Sequence, residues 1–173
     1  TADDRTALLK LDDGKTVEVE LPTTALSEPY QVDKPSAWVL GKSGGDDGFL
    51  EMGRAESTQS QTQVVVVIDK GEKGDGKLEL IAMDLTLKAD AFAFVNASRH
   101  DISGKFGIER FGIAPMEHAL LMAETSRTDR GRRFCDATFN FLKKDAEKYT
   151  PFYSSSWRLT DGVYGLVIFH HEA

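Results

Sequence analysis

A single cysteine in 173 residues, Cys135, leaves no internal disulfide and no cysteine-based zinc site, because each needs a second thiol. Cysteine usage therefore does not choose between compartments. No apolar run nears the roughly 20 residues that cross a bilayer. The longest are VVVVI at 64–68 and LVIF at 166–169, so no transmembrane segment is expected. Basic residues are outnumbered, with 21 Lys and Arg against 28 Asp and Glu, and the formal charge is −7. Such a chain offers no general field for a phosphate backbone or anionic lipid, so nucleic acid is not an expected partner. Catalytic signatures are missing too. There is no G-x-S-x-G, no Cys and His in a recognised context, and no His or Met closely after Cys135, where CDATFNFLKKD runs instead of a copper motif.

What is present is the composition of a folded globular protein, 40% hydrophobic and 28% charged, in a chain long enough to bury an ordinary core. Apolar residues alternate with period two, and Gly, Asp and Pro punctuate them about every ten residues, the spacing of short antiparallel strands. The expected fold is all-β, an antiparallel β-sandwich of immunoglobulin-like or jelly-roll-like type with little helix. It is read as one domain over 1–173, any subdivision falling near 70–77. Twelve to fourteen strands are counted.

ALLKLDDGKTVEVELP reads as a hairpin about Asp13-Gly14. YQVDKPSAWVLGK reads as a second, with Tyr30 and Val32 before a Pro-Ser turn and Trp38 and Leu40 after it. QTQVVVVID suits a central strand covered on both faces, KLELIAMDL looks like a partner of AFAFVNAS, and KFGIERFGIAP of EHALLMAE. PFYSSSWRL and VYGLVIFHHEA, joined by TDG, read as a C-terminal hairpin. Only FLKKDAEKYT and APMEHALLMAET have helical appeal, while GKSGGDDG and KGEKGDGK read as mobile turns.

No residue type forms a reactive constellation. On a strand, Phe92, Phe94 and Asn96 share one face. The phenylalanines are read as core and Asn96 as the strand's polar end, its amide bonding loop backbone, although Asn96-Ala97-Ser98 also matches a glycosylation triplet. Of His100, His118, His170 and His171, only His170 has a local same-face partner, Glu172, and two ligands make no metal site. GGDDG lacks the spaced carboxylates of a calcium loop. Cys135 alternates with Ala137, Phe139 and Phe141 as a buried hydrophobe. No catalytic, cofactor-binding or metal-binding residue is assigned, and no cofactor is implied. The contact residues expected for a ligand or partner are Trp38, Tyr153 and Trp157, as amphipathic aromatics, with Arg130 and Arg132 from the basic stretch RTDRGRR, which otherwise reads as a solvated hairpin tip.

AFAFVNAS, the glycine-containing strand ending at IAP, and SSSWRL leading to LVIF resemble an uncharacterised group of exported bacterial β-sandwich proteins, over Leu78 to His170. Met116 stands after Pro115 where that group has glycine. The resemblance implies a β-sandwich in the cell envelope and supplies no catalytic residues. The opening TADDRTALLK, without methionine, fits either a mature chain whose signal peptide has been removed or a piece trimmed to its ordered part, and the reading leans to export. The reading is a noncatalytic, periplasmic or extracellular domain that binds a protein or a polysaccharide, with the cytoplasm left open. A carbohydrate-binding module, using coplanar exposed aromatics, is the alternative. A hydrolase with an unrecognised site is the third.

Overall fold

The computed structural model describes residues 5–22, 26–69, 76–84, 88–142 and 148–170. The fold is all-β, and the described residues form fourteen strands and no helix. The chain divides into two compact units, Thr1–Leu85 and Thr86–Ala173.

In the first unit, β1 (Arg5–Lys10) and β2 (Thr16–Leu21) form the expected hairpin. Gly14 takes φ 83°, a conformation that costs glycine little, and Leu11 and Lys15 close the turn with a backbone hydrogen bond of 2.8 Å. β3 (Ala37–Ser43) and β4 (Phe49–Glu56) extend the sheet in the order β2-β1-β3-β4. β5 (Gln63–Asp69) pairs with β6 (Leu78–Asp84) in a separate two-stranded sheet. Leu9, Val19 and Leu40 of the first sheet and Leu80 of the second meet in one core.

Two expectations are corrected here. Residues 26–35 form no strand, so Tyr30 and Val32 do not pair with Trp38 and Leu40. Instead the Tyr30 hydroxyl accepts the Glu20 N–H at 2.7 Å. The apolar run of β5 does bury side chains on both faces, but among the described residues its one ladder partner is β6, which makes it no central strand.

The second unit is a two-sheet sandwich. β7 (Ala91–Asn96) is the middle of a three-stranded sheet, between β10 (His118–Met122) and β14 (Gly165–Phe169). Facing it, β12 (Arg132–Leu142) lies between β8 (Asp101–Phe106) on one edge and β13 (Thr150–Leu159) on the other, with β9 (Glu109–Ile113) beyond β8 and β11 (Arg127–Asp129) beside the start of β12. The core between the sheets is aromatic. Phe94 is fully buried, with ring contacts of 5.0–6.0 Å to Phe106, Phe111, Phe139 and Phe169.

Here the pairing departs from sequence neighbourhood. β13 and β14 are no hairpin: β13 pairs with β12, and β14 crosses to run parallel to β7. Beyond the 160–162 turn, the Val163 carbonyl accepts the Asp90 N–H at 2.8 Å, which carries the chain to the start of β7. β6 does not pair with β7, nor β9 with β10. The latter folds back on β7 because Met116 N–H donates to Asn96 O and Asn96 N–H to Glu117 O. Of the helical tracts, 118–122 is strand, while 143–147 lie outside the described residues, as do 70–75 of the second glycine-rich loop.

Candidate functional site

β13 reads TPFYSSSWRL, and its serines matter because small polar side chains leave the strand accessible. Among the described residues it pairs with β12 alone, which makes it an edge strand. The register slips at Phe139/Asn140: Phe139 faces Tyr153 and Asn140 faces Pro151, so Phe152 is the extra residue of a β-bulge. The bulge turns two consecutive aromatics toward the core side. Tyr153 stacks on Phe139 at 5.1 Å and Phe152 lies perpendicular to Phe169 and tilted against Phe141, yet Phe152 stays 47% and Tyr153 38% exposed. Trp157, four residues further along on the same face, packs on Phe106 and donates its indole N–H to the Tyr153 hydroxyl at 2.6 Å.

The direction of the edge's backbone groups follows from β12. Asp136 O accepts from Gly107 N at 2.9 Å and Asp136 N donates to Ser126 Oγ at 2.8 Å, so Asp136 turns its backbone toward the β8 and β11 side. Backbone direction alternates along a strand. Cys135, Ala137 and Phe139 therefore bond Trp157, Ser155 and Tyr153, and Ser154, Ser156 and Arg158 present N–H and C=O to the unpaired edge.

The expected contact residues separate into three places. Trp38 sits in the first unit, half-buried against its core, with its indole N–H donating to Gln63 Oε1 at 2.8 Å. Tyr153 and Trp157 come together on β13, but their rings stand at 73° and so do not form the coplanar pair that stacking on a sugar uses. Arg130 and Arg132 are exposed at the tip of the β11–β12 hairpin, where Arg130 (φ 47°) and Gly131 (φ 73°) make the two-residue turn with both central residues left-handed. Phe152, Ser154 and Ser156 stand outside the expected contact residues. "PFY" signals a bulge only once the pairing of β13 is known.

Other polar groups have structural employment. Asn96 is fully buried, and its amide nitrogen donates to His100 O at 2.8 Å and Ile113 O at 2.9 Å, while Oδ1 accepts from Ser98 N and Oγ. With every bonding position of the amide used, a glycan has no access in the folded state. Asp13 accepts the Lys15 side chain and backbone N–H, and Asp12 accepts Ser36 N–H and O–H. The Ser156 hydroxyl donates to Asp136 Oδ1 at 2.6 Å and holds that carboxyl below the usual carboxylate range. Burial pushes the Cys135 thiol up to about 11, so it remains protonated and unreactive near neutral pH.

His100 lies over Phe141 at 5.6 Å, His118 and His170 are exposed, and His171 and Glu172 lie outside the described residues. Among the described residues, no three His, Cys, Asp or Glu converge as a metal centre requires. A shallow cavity of about 210 Å³ lies beside the end of β13, lined by Asp90, Phe92, Trp157 and Thr160 among others. Small-molecule sites run from about 300 Å³ upward. Comparison of the chain with protein-family models, curated proteins and solved structures finds no match.

Proposed function

We propose that this chain is a noncatalytic, exported β-sandwich protein that binds another protein by accepting a strand of that partner along the free edge of β13. The observation that carries the reading is the edge itself: Ser154, Ser156 and Arg158 direct backbone donors and acceptors outward beside the exposed Phe152 and Tyr153. Strand addition takes affinity from such main-chain groups and specificity from neighbouring side chains. Export rests on the resemblance of residues 78–170 to envelope proteins.

The test is affinity capture from the envelope fraction of the source cell, comparing the chain with Ser154→Pro. Proline at 154 removes an outward N–H and spares the β12 ladder, whereas proline at 155 would break it. Retention of the partner should fall at least tenfold in Ser154→Pro with the circular dichroism unchanged. Equal retention by both forms rejects the edge as the binding surface.

A further inference from the structure

The net acidity of the chain is confined to one unit. Residues 1–85 contain 9 Lys and Arg against 17 Asp and Glu, a charge of −8, while residues 86–173 contain 12 against 11, a charge of +1. Within the second unit the cations gather on the solvent face of the sheet that contains β13. Even-numbered residues of β12 point away from the core, since Cys135, Ala137 and Phe139 are buried. Thr138 on that face is opposite Lys105, and Lys105 is opposite Arg110. Phe134 is opposite Arg127 on one side and Arg158 on the other, and Arg132 is opposite Asp129. Five exposed cations thus share one face, against the carboxylates of Asp101, Asp129 and Asp136.

Asp136 is already engaged by Ser156, with Arg127 Nε at 4.0 Å. Among the described residues no ion pair is found for Lys105, Arg110, Arg132 or Arg158. Lys105 directly across from Arg110 is a like-charge cross-strand pair, an arrangement that destabilises a sheet unless an anion lies over it. The remaining surface of the face is Ser103, Thr138, Asn140, Ser154 and Ser156. Its two large apolar side chains are half-buried, Phe134 beneath the Arg127 guanidinium at 4.5 Å and Leu142 at the far end of β12 opposite Asp101.

We propose that this face binds a carboxylated polysaccharide. Guanidinium forks match carboxylates in a bidentate manner, and hydroxyl and amide side chains match sugar hydroxyls. A folded protein would need an apolar or aromatic anchor at the centre of the contact, and the face presents none. Single-stranded nucleic acid would need exposed rings for its bases, and Phe134 is covered. Four residues along β12 separate the Lys105–Arg110 pair from the Arg127–Arg158 pair, about 14 Å at strand rise. A linear polymer with a carboxylate on each sugar spans both pairs, while a free uronate reaches one, so the polymer gains by multivalency. The face shares Ser154, Ser156 and Arg158 with the outward edge, but it recognises its ligand through side chains and not through backbone groups, so its failure would leave the strand-addition reading standing.

The test uses the full chain and polygalacturonate as the probe, with monomeric galacturonate, neutral dextran and an oligothymidylate alongside, by calorimetric titration at low and raised salt. Polygalacturonate should bind at least tenfold more tightly than the monomer, weaken as salt rises, and lose at least tenfold in the Lys105→Glu/Arg110→Glu variant, whose exposed positions leave the core intact. Arg158→Gln should weaken it as well. Absence of polygalacturonate binding at low salt, undiminished binding by the charge-reversed variant, or tighter binding of dextran or oligothymidylate overturns the proposal.

Discussion

Exchanging Asn96 for aspartate alters one group in a side chain that has no solvent access. The amide nitrogen it removes donates to two backbone carbonyls, His100 O and Ile113 O, at 2.8 and 2.9 Å. In Asn96→Asp an oxygen faces those carbonyls instead, so two hydrogen bonds become two repulsive contacts. A buried polar group left without its partner costs about 1–3 kcal/mol, giving roughly 2–6 kcal/mol for the two carbonyls. The chain has two tryptophans, Trp38 in the first unit and Trp157 in the second, so a Trp38→Phe background makes fluorescence report on the unit that holds Asn96. With a guanidinium slope of about 3 kcal/mol per molar, the unfolding midpoint should fall by roughly 0.7–2 M. The sign with pH is fixed too. Burial against carbonyl oxygens raises the introduced carboxyl above its unfolded value of about 3.9, so the ionised form is the worse tolerated and the deficit relative to the Trp38→Phe parent should shrink as pH falls toward that value. A loss below about 0.5 kcal/mol, or a deficit independent of pH, would refute the assignment of Asn96 as the pin between β7, the 97–100 turn and the end of β9.

Two further outcomes are expected. Phe94→Ala deletes a fully buried ring that touches four other phenylalanines and should cost about 3–5 kcal/mol in the same fluorescence assay. Because the Cys135 thiol is raised to about 11 in the folded state, its stabilising share is complete below the unfolded pKa near 8.5 and is lost as pH rises through 11. That loss amounts to about 3 kcal/mol, and its absence from Cys135→Ala, measured by denaturation between those pH values, is the check.

Period-two alternation was enough to read an all-β sandwich, because a strand's faces are set by its own residues. Asp13-Gly14 was enough for the first hairpin, because a two-stranded turn is local, and the RTDRGRR tip is legible for the same reason in Arg130-Gly131. Pairing between distant strands is not local. The TDG turn at 160–162 has hairpin chemistry, but the core places Phe169 of β14 against Phe94 and Phe139, and that burial outweighs the turn's preference for returning along β13. The same crossing leaves β13, among the described residues, unpaired on one side. Its edge and its bulge therefore exist only as products of topology, and a sequence reading could name Tyr153 and Trp157 as contacts without setting Phe152 and the outward serines beside them.

As the proposed binding surface, the β13 edge must discriminate between a partner and other strands. Pro151 and the Phe152 bulge close its first part to regular pairing, and Arg158 charges its far end, which are recognised devices against edge-to-edge aggregation. The open stretch offers Ser154, Ser156 and Arg158, each with one N–H and one C=O, hence at most about six backbone hydrogen bonds at about 0.5–1.5 kcal/mol net, or roughly 3–9 kcal/mol in all. Association itself costs about 4–15 kcal/mol. The backbone alone therefore falls short for most added strands, and binding requires further burial. Phe152 and Tyr153, exposed at the edge and held by Phe139 and the Trp157 indole, are placed to provide it at about 1.5–3 kcal/mol for a large side chain fully covered. Selectivity would then reside in the residues of an incoming strand that cover these two rings, while the short run of serines sets only its position.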